Sequence, residues 1–432
     1  MKIAIIGSGI SGLVSAYRLN ESHEITVFEA NDYIGGHTNT VQVDLGREKL
    51  GIDTGFIVFN DRTYPNFISL MDELGVASDP TSMSFSVSCD QSGWEYNGTS
   101  VNGLFSQRRN LVRPKFHRML LDILRFNREA SQLLDSDQDE EITVSQFLEE
   151  HRYSQEFANQ YLLPMGAAIW SCPPQTFEQF PIRFIAEFYH NHGLLSIRNR
   201  PTWRVIRGGA HQYVKAITSQ LTNRFRLNSP VSLVQRYGDH IEVVSNGVSE
   251  SFDEVVFACH SDQASRILVD ASATERELLG SFPYGKNTAV LHTDISVLPK
   301  RKRAWASWNY HIPNDNREHV TVTYNMNILQ NIESQHVYCV TLNESENIDP
   351  KKVIRKFNYS HPIFSTRRST VQLRHSEVIR TNRTSFCGAY WGNGFHEDGV
   401  NSAIAVSQAF EPESIQLGTT SSKSPNRLEG ME

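Results

Sequence analysis

Residues 7–12, Gly-Ser-Gly-Ile-Ser-Gly, constrain this chain more than any other stretch. Ile3–Ile6 before them is an apolar run of strand length, and Leu13, Val14, Ala16, Tyr17 and Leu19 after them recur at helical spacing. Ile25–Phe28 reads as a second strand and ends at Glu29. Strand, glycine turn, helix, strand and acid in that order form a dinucleotide-binding unit. Gly7 permits the tight turn, Gly9 lets the backbone approach a diphosphate, and Gly12 lets the helix pack on the strand. The N–H groups at the helix start, at Ile10 and Ser11, face the phosphates. Glu29, with Ala30 beside it, is placed to accept hydrogen bonds from ribose hydroxyls. Its charge would repel a 2′-phosphate, which disfavours NADP.

At 432 residues the chain has room for two or three domains, at about 150 residues each. The formal net charge of −7 argues against non-specific nucleic-acid binding, which needs a basic surface. No apolar run approaches the ~18 residues of a membrane helix, and the apolar N-terminus runs into a glycine turn rather than a cleavage site. Five scattered cysteines without a C-x-x-C pair suit reduced thiols in a cytoplasm, with no disulfide framework and no metal site.

Further along, Gly35-Gly36 again allows close approach of backbone to a ligand. The patterning predicts a helix over 63–74 capped by Thr63, and antiparallel strands around Phe85–Val87 and Trp94–Tyr96. Residues 108–134 are basic and apolar with a helical period. A solvated helix face is favoured there over a patch for anionic head groups. Residues 135–141 form an acidic loop that lacks the glycine and terminal glutamate of a calcium loop. An aromatic stretch, Phe177–Tyr189, reads as core or ligand wall. Strands are expected at 224–227, 231–237, 241–245 and 252–260, and 351–359 as a helix or loop. Ser385–Tyr390 reads as a strand that enters Gly392, Gly394 and Gly399, then a helix from Val400 to about Ala409. The expected fold class is α/β: a Rossmann-type nucleotide domain (1–75, 200–265, 376–417) with an inserted α+β substrate domain (76–199, 266–375). The tail 418–432 is expected to be disordered.

Four blocks in order resemble the flavin-containing amine oxidase superfamily, which includes monoamine oxidases, protoporphyrinogen oxidase and phytoene desaturases. They are Gly7–Gly12 with Glu29; Gly35-Gly36; Pro230-Val231 with Val255–Ala258; and Phe386-Cys387-Gly388 running to Gly399 and its helix. The resemblance implies FAD, bound non-covalently. Val231 would meet the adenine, with Ala258 beside it, Gly388 would lie near the pyrophosphate, and the helix start at Val400 near the flavin O2. Gly35, Gly36, His37, Thr38, Thr54, Gly55 and Phe56 would line the cofactor between. The sequence is most similar to a bacterial branch of FAD/NAD(P)-binding oxidoreductases marked by the segments 35–40, 191–195, 306–310 and 394–399. Members of that branch are associated with modified membrane acyl chains. Two departures from amine oxidases stand out: His37 replaces an arginine, and Asn287 falls where a lysine holds a water near flavin N5, with Lys286 one place out.

These readings imply an FAD-dependent oxidoreductase that moves a hydride from a substrate C–H to flavin N5, with an apolar acyl chain undergoing desaturation as the fitting substrate. An amine oxidase releasing hydrogen peroxide and a non-catalytic flavoprotein that shuttles or senses redox state remain alternatives. Candidates beside the ring are Trp308, Tyr310, Tyr390, Trp391 and His396. The expected partner is a small molecule or lipid, not nucleic acid, and the expected location is cytoplasmic with peripheral contact at the inner membrane face.

Overall fold

A computed structural model describes residues 1–45, 48–135, 142–170, 172–196, 200–314, 321–363 and 368–411. The tail expected to be disordered and residues 136–141 of the acidic loop lie outside the described residues.

The chain is α/β, as the opening motif requires. Strand Lys2–Ile6 is central in a five-stranded parallel sheet, between Glu24–Phe28 and Glu254–Phe257. Thr384–Phe386 adds one edge and Phe225–Arg226 the other. Successive side chains of the first strand point to opposite faces. Ile3 and Ile5 join a core with helices Ile10–Leu19, His211–Gln220 and His396–Gln408. Ala4 and Ile6 join a core on the other face, with Val234, Val243 and Phe252. Burial of both faces is why these strands are almost continuously apolar.

Residues 231–236 and 241–245 are strands, close to the expected 231–237 and 241–245; with Val248–Phe252 they form a separate antiparallel sheet that covers one face of the parallel sheet. The expected strand 252–260 is split at Asp253, which receives the Lys2 backbone N–H at 2.7 Å and donates its own to the Lys2 carbonyl at 2.8 Å.

A second sheet has seven strands in the order Val353–Pro362, Tyr284–His292, Cys339–Leu342, Thr321–Asn325, Trp308–Ile312, Phe85–Cys89, Trp94–Asn97. Residues 351–359, expected as helix or loop, belong to its edge strand, with Tyr359 opposite Asn287. Arg355 and Lys356 point into solvent there. Charges on an edge strand discourage further pairing, and they also mask the strand in the sequence. Beside this sheet lies a helical layer with an aromatic core that includes Phe116, Phe126, Phe157, Trp170, Phe177 and Phe184. Its surface helix spans Pro114–Leu134, preceded by a 3₁₀ turn at Arg108–Val112. The break falls at Arg113, whose extended backbone (φ −96°, ψ 109°) suits a residue before proline.

Candidate cofactor and substrate cavity

Four strand ends of the parallel sheet, Ile6, Phe28, Phe257 and Phe386, run into loops that line one cavity of about 930 Å³. This is the carboxyl edge of the sheet, where open α/β folds hold ligands. Gly7, Gly9, Ile10, Ser11, Glu29, Ala30, Gly35, Gly36, His37, Gly55, Phe56, Val231, Ala258 and Gly388 all line it.

Four of the expected cofactor contacts stand behind the wall instead. Gly12 is a packing residue: a Cβ there would sit 2.0 Å from the Gly7 carbonyl oxygen. Thr54 donates to the Asn39 carbonyl at 2.9 Å, and the Thr38 hydroxyl bonds the Tyr213 phenol. Val400 is buried within the last helix, which begins at His396 rather than at Val400. The free N–H groups of that helix therefore lie four residues earlier, beside Gly394, Phe395 and His396 of the lining. Asp398 receives the Phe395 N–H at 2.9 Å, and burial pushes its carboxyl up to about 6. Glu397 reaches out of the same turn and takes the Asn66 and Phe67 N–H groups at 2.9 and 2.8 Å. That carboxylate satisfies the start of helix Pro65–Glu73, where Tyr64, not Thr63, is the capping position.

The glycine turns fit a diphosphate. A Cβ on Gly9 would meet nothing within 4 Å, so open space faces that backbone. A Cβ on Gly36 (φ +59°) would come 3.1 Å from Gly9 Cα, so the second glycine turn seats on the first. Glu29 is already held by four donors: Ser8 N (3.0 Å), Ser8 Oγ (2.6 Å), Asn31 N (2.8 Å) and Asn31 Nδ2 (2.9 Å). A carboxylate has about four acceptor positions, so a ribose diol there would compete with the Ser8 and Asn31 side chains for Glu29.

Beyond the turns stand three histidines drawn from distant segments. The His37 ring lies 5.9 Å from that of His260, 5.2 Å from His361 and 5.0 Å from Tyr359. Burial, aided by His260, holds His37 down to about 4. Burial with His361 does the same to His260, and burial with His37 takes His361 to about 3. The cluster is therefore neutral at pH 7 where a permanent cation was expected to be missing or titratable. His37 Nε2 is buried with no partner among the described residues, as are the indole N–H groups of Trp170 and Trp308 on the same cavity. Buried polar atoms of this kind call for a ligand or water. With the open space at Gly9, they fit a dinucleotide cofactor that carries a polar ring.

The candidates for the ring end separate. Trp308, Tyr390 and His396 line the cavity; Tyr310 and Trp391 do not. Tyr310 packs in the core with Ala167, Ala168 and Val322, and Trp391 stacks on His375 at 4.2 Å. The ring of His396 is fixed by its neighbours. It stacks on Phe56 at 3.5 Å, and Nε2 lies 3.0 Å from both the Thr38 and Tyr213 hydroxyls. Asn287 is buried, donates to His361 Nδ1 at 2.9 Å and accepts from Asn343 at 2.6 Å. Lys286 is exposed and does not line the cavity. Sequence reasoning missed Ile169, Trp170, Tyr324 and Arg266, which also line it. Only Trp170 carried a signal, as the aromatic end of a small-residue run.

Cys259 lines the cavity, while Cys387 lies behind it with Sγ 3.7 Å from Ser15 Oγ. Burial pushes both thiols up to about 12, so neither is a nucleophilic thiolate. Acid precipitation should release all of the yellow colour into the supernatant. Flavin retained in the pellet would show a covalent bond.

The model of the family described as flavin containing amine oxidoreductase matches residues 10–312. AofH of Mycobacterium tuberculosis, a candidate flavin-containing monoamine oxidase, is 25% identical over 260 residues, covering 56% of this chain and 53% of that protein. The chain thus aligns with about half the length of that curated relative. Cyclohexylamine oxidase from Brevibacterium oxydans IH-35A superposes with a TM-score of 0.67 at 17% identity, over 94% of this chain and 99% of its own. The fatty acid isomerase from P. acnes that produces CLA superposes with a TM-score of 0.64 at 14% identity, over 94% and 98%. The family match spans well over half of the chain and takes in Gly12, Glu29, Gly35, Gly36, Val231, Ala258 and Trp308, and with the cavity built on those same loops the chain belongs to the flavin-containing amine oxidoreductase family.

Proposed function

We propose that the protein is an FAD-dependent oxidoreductase acting on a C–H bond of an apolar, acyl-type substrate. The observation that carries this reading is the wall of the cavity away from the nucleotide turns: Ile57, Val58, Ile169, Trp170, Trp308 and Tyr324. Among the described residues, Glu29 is the lining's one carboxylate and no lysine lines it. Glu29 is committed to the fingerprint turn, so no carboxylate is left to meet an ammonium at the other end. Trp308 and Tyr324 touch each other edge to face, with centroids 5.0 Å apart and planes at 85°. They do not face one another across a gap, as two rings enclosing an amine would.

FAD, when bound, supplies the hydride acceptor. The chain's own work is positioning and exclusion of water. Glu29 and the turns at 7–12 and 35–36 hold the nucleotide half. The start of the last helix, at Phe395 and His396 of the lining, would offer backbone donors to the ring. Asn287 and His361 offer a neutral polar pair where a cationic side chain would otherwise sit. The apolar wall fixes a substrate that has no polar handle at the reacting carbon, and each buried methylene contributes about 0.8 kcal/mol. The family includes oxidases of amines by name, and the fold alone accommodates both an amine oxidase and a fatty acid isomerase. The cavity lining is what favours the apolar substrate.

The test is anaerobic mixing of the purified holoprotein with a panel of amines and, separately, with phospholipids bearing methylated or unsaturated chains. Flavin bleaching by a lipid and not by simple amines is expected. Rapid bleaching by a primary or secondary amine, with no lipid active, would replace this reading with amine oxidation.

A further inference from the structure

The helix Pro114–Leu134 turns Phe116, Met119, Phe126 and Ala130 into the aromatic core. Its opposite face carries His117, Leu121, Leu124 and Arg128, spaced to fall in one row. Leu121 is 67% exposed and Leu124 52%. Just before the helix, Leu111 is 51% and Val112 82% exposed, and Val101 is 74%. Five of the twelve exposed large hydrophobics among the described residues thus fall between residues 101 and 124. An unrelated scatter of single apolar side chains would need no explanation; this concentration does.

The charge of the same stretch runs against the rest of the protein. Arg108, Arg109, Lys115, Arg118 and Arg128 are exposed, whereas the whole chain carries −7. Asp122 is the single acid between 101 and 128 and is buried, receiving the Ser154 N–H and hydroxyl. Lys115 pairs with Glu156 at 3.1 Å. Arg118 and Arg128 have no ion pair among the described residues. No helix of the described residues is long and apolar enough to cross a membrane.

We infer that this face docks the protein on an anionic phospholipid surface. Leucine and valine side chains that project singly among arginines match the interface, where the apolar tips enter the acyl boundary and the guanidinium groups meet phosphates. Long basic side chains also lay their stems along apolar surface while their charges stay wet. The placement has a use. Phe126 contacts Tyr189, the neighbour of Phe188, and Phe188 lies 4.7 Å from Trp170, which lines the cavity. A run of aromatic side chains, Phe126, Tyr189, Phe188 and Trp170, therefore links the inner side of the docking helix to the apolar end of the cavity. The inference concerns where the protein sits and holds whatever substrate the cavity takes.

The test is flotation of the holoprotein with vesicles of phosphatidylcholine mixed with phosphatidylglycerol, against vesicles of phosphatidylcholine alone. Binding to the mixed vesicles only, weakened by salt, is expected. Arg118→Glu with Arg128→Glu should weaken it at least about tenfold. Val112→Asp with Leu121→Asp should weaken it comparably at low salt. All four side chains are on the surface, so flavin content and melting temperature should match the parent and certify the fold. Equal binding by the charge-reversed variant, or no binding to the mixed vesicles, overturns the inference. So does a lipid-free dimer that Leu121→Asp dissociates, which would assign the face to a second copy of the chain.

Discussion

Purified Gly9→Val should fold and carry no FAD. Gly9 has φ −65°, which valine adopts without strain, and a Cβ there meets nothing within 4 Å. The apoprotein has no reason to reject the substitution. The branched side chain, however, fills the space that the backbone leaves for the diphosphate. Gly12→Ala should behave in the opposite way. Its Cβ would lie 2.0 Å from a backbone oxygen of Gly7, so the helix must move off the strand and the protein should be unstable or insoluble. Glu29→Ala should fall between them, because it removes charge-assisted hydrogen bonds worth about 1.5–3 kcal/mol each and loosens the turn. Flavin-to-protein absorbance ratios and thermal melts separate the three outcomes. Full flavin occupancy in Gly9→Val would remove the cofactor assignment of this turn.

Stability should fall steeply as pH drops from about 6.5 to 4. His37, His192, His260, His292 and His375 are held down to about 4 and His361 to about 3, with burial the largest cause in each case. A histidine depressed in the fold leaves its stabilising contribution intact above the unfolded value of 6.5. Below 6.5 the unfolded chain takes up protons that the folded chain refuses, so the contribution is lost until about pH 4. Each such group is worth about 3 kcal/mol over that window, at about 1.4 kcal/mol per pH unit. Three buried carboxyls pull the other way. Asp53 is raised to about 7 and Asp398 to about 6, and burial raises Glu397 as well, so all three favour the fold as pH falls. Six histidines outnumber these three carboxyls, so the net effect of acid is a loss of stability. Urea denaturation from pH 8 to pH 4 should show the midpoint collapsing through this range. A midpoint that stays level to pH 4.5 would mean that these rings are hydrated.

The local chemistry of the opening motif was legible because it is contiguous: turn, helix and both strands lie within 29 residues, and the packing role of Gly12 follows from its place in the turn. The structure adds that Ser8 and Asn31 already hold Glu29 and that Gly36 seats on Gly9. The distal glycine block was legible in kind but not in register. The run 394–399 is rich in glycine, which favours loop, so the helix was expected to begin at Val400. Asp398, held by the Phe395 N–H, instead lets it begin at His396. The histidine cluster could not be read at all. His37, His260 and His361 come from three separated segments, and the last lies on an edge strand whose exposed charges hide its alternation. Trp308 and Tyr310 share a strand and, two residues apart, a face. Only the packing of helix Leu163–Trp170 shows that one meets the cavity and the other the core.

The sheet under the cavity imposes an order on biosynthesis. Strand Lys2–Ile6 leaves the ribosome some 250 residues before its neighbour Glu254–Phe257, and Thr384–Phe386 and the helix His396–Gln408 follow later still. At about 5–20 residues per second, tens of seconds pass in which the nascent chain exposes an unpaired apolar edge. Contacts so distant in sequence form slowly, and an open edge of this kind invites pairing with other chains. The nucleotide cannot be gripped at both ends until the helix His396–Gln408 has been made. Cofactor capture is then a late folding step, and the supply of FAD at that moment should decide how much of the newly made protein becomes stable.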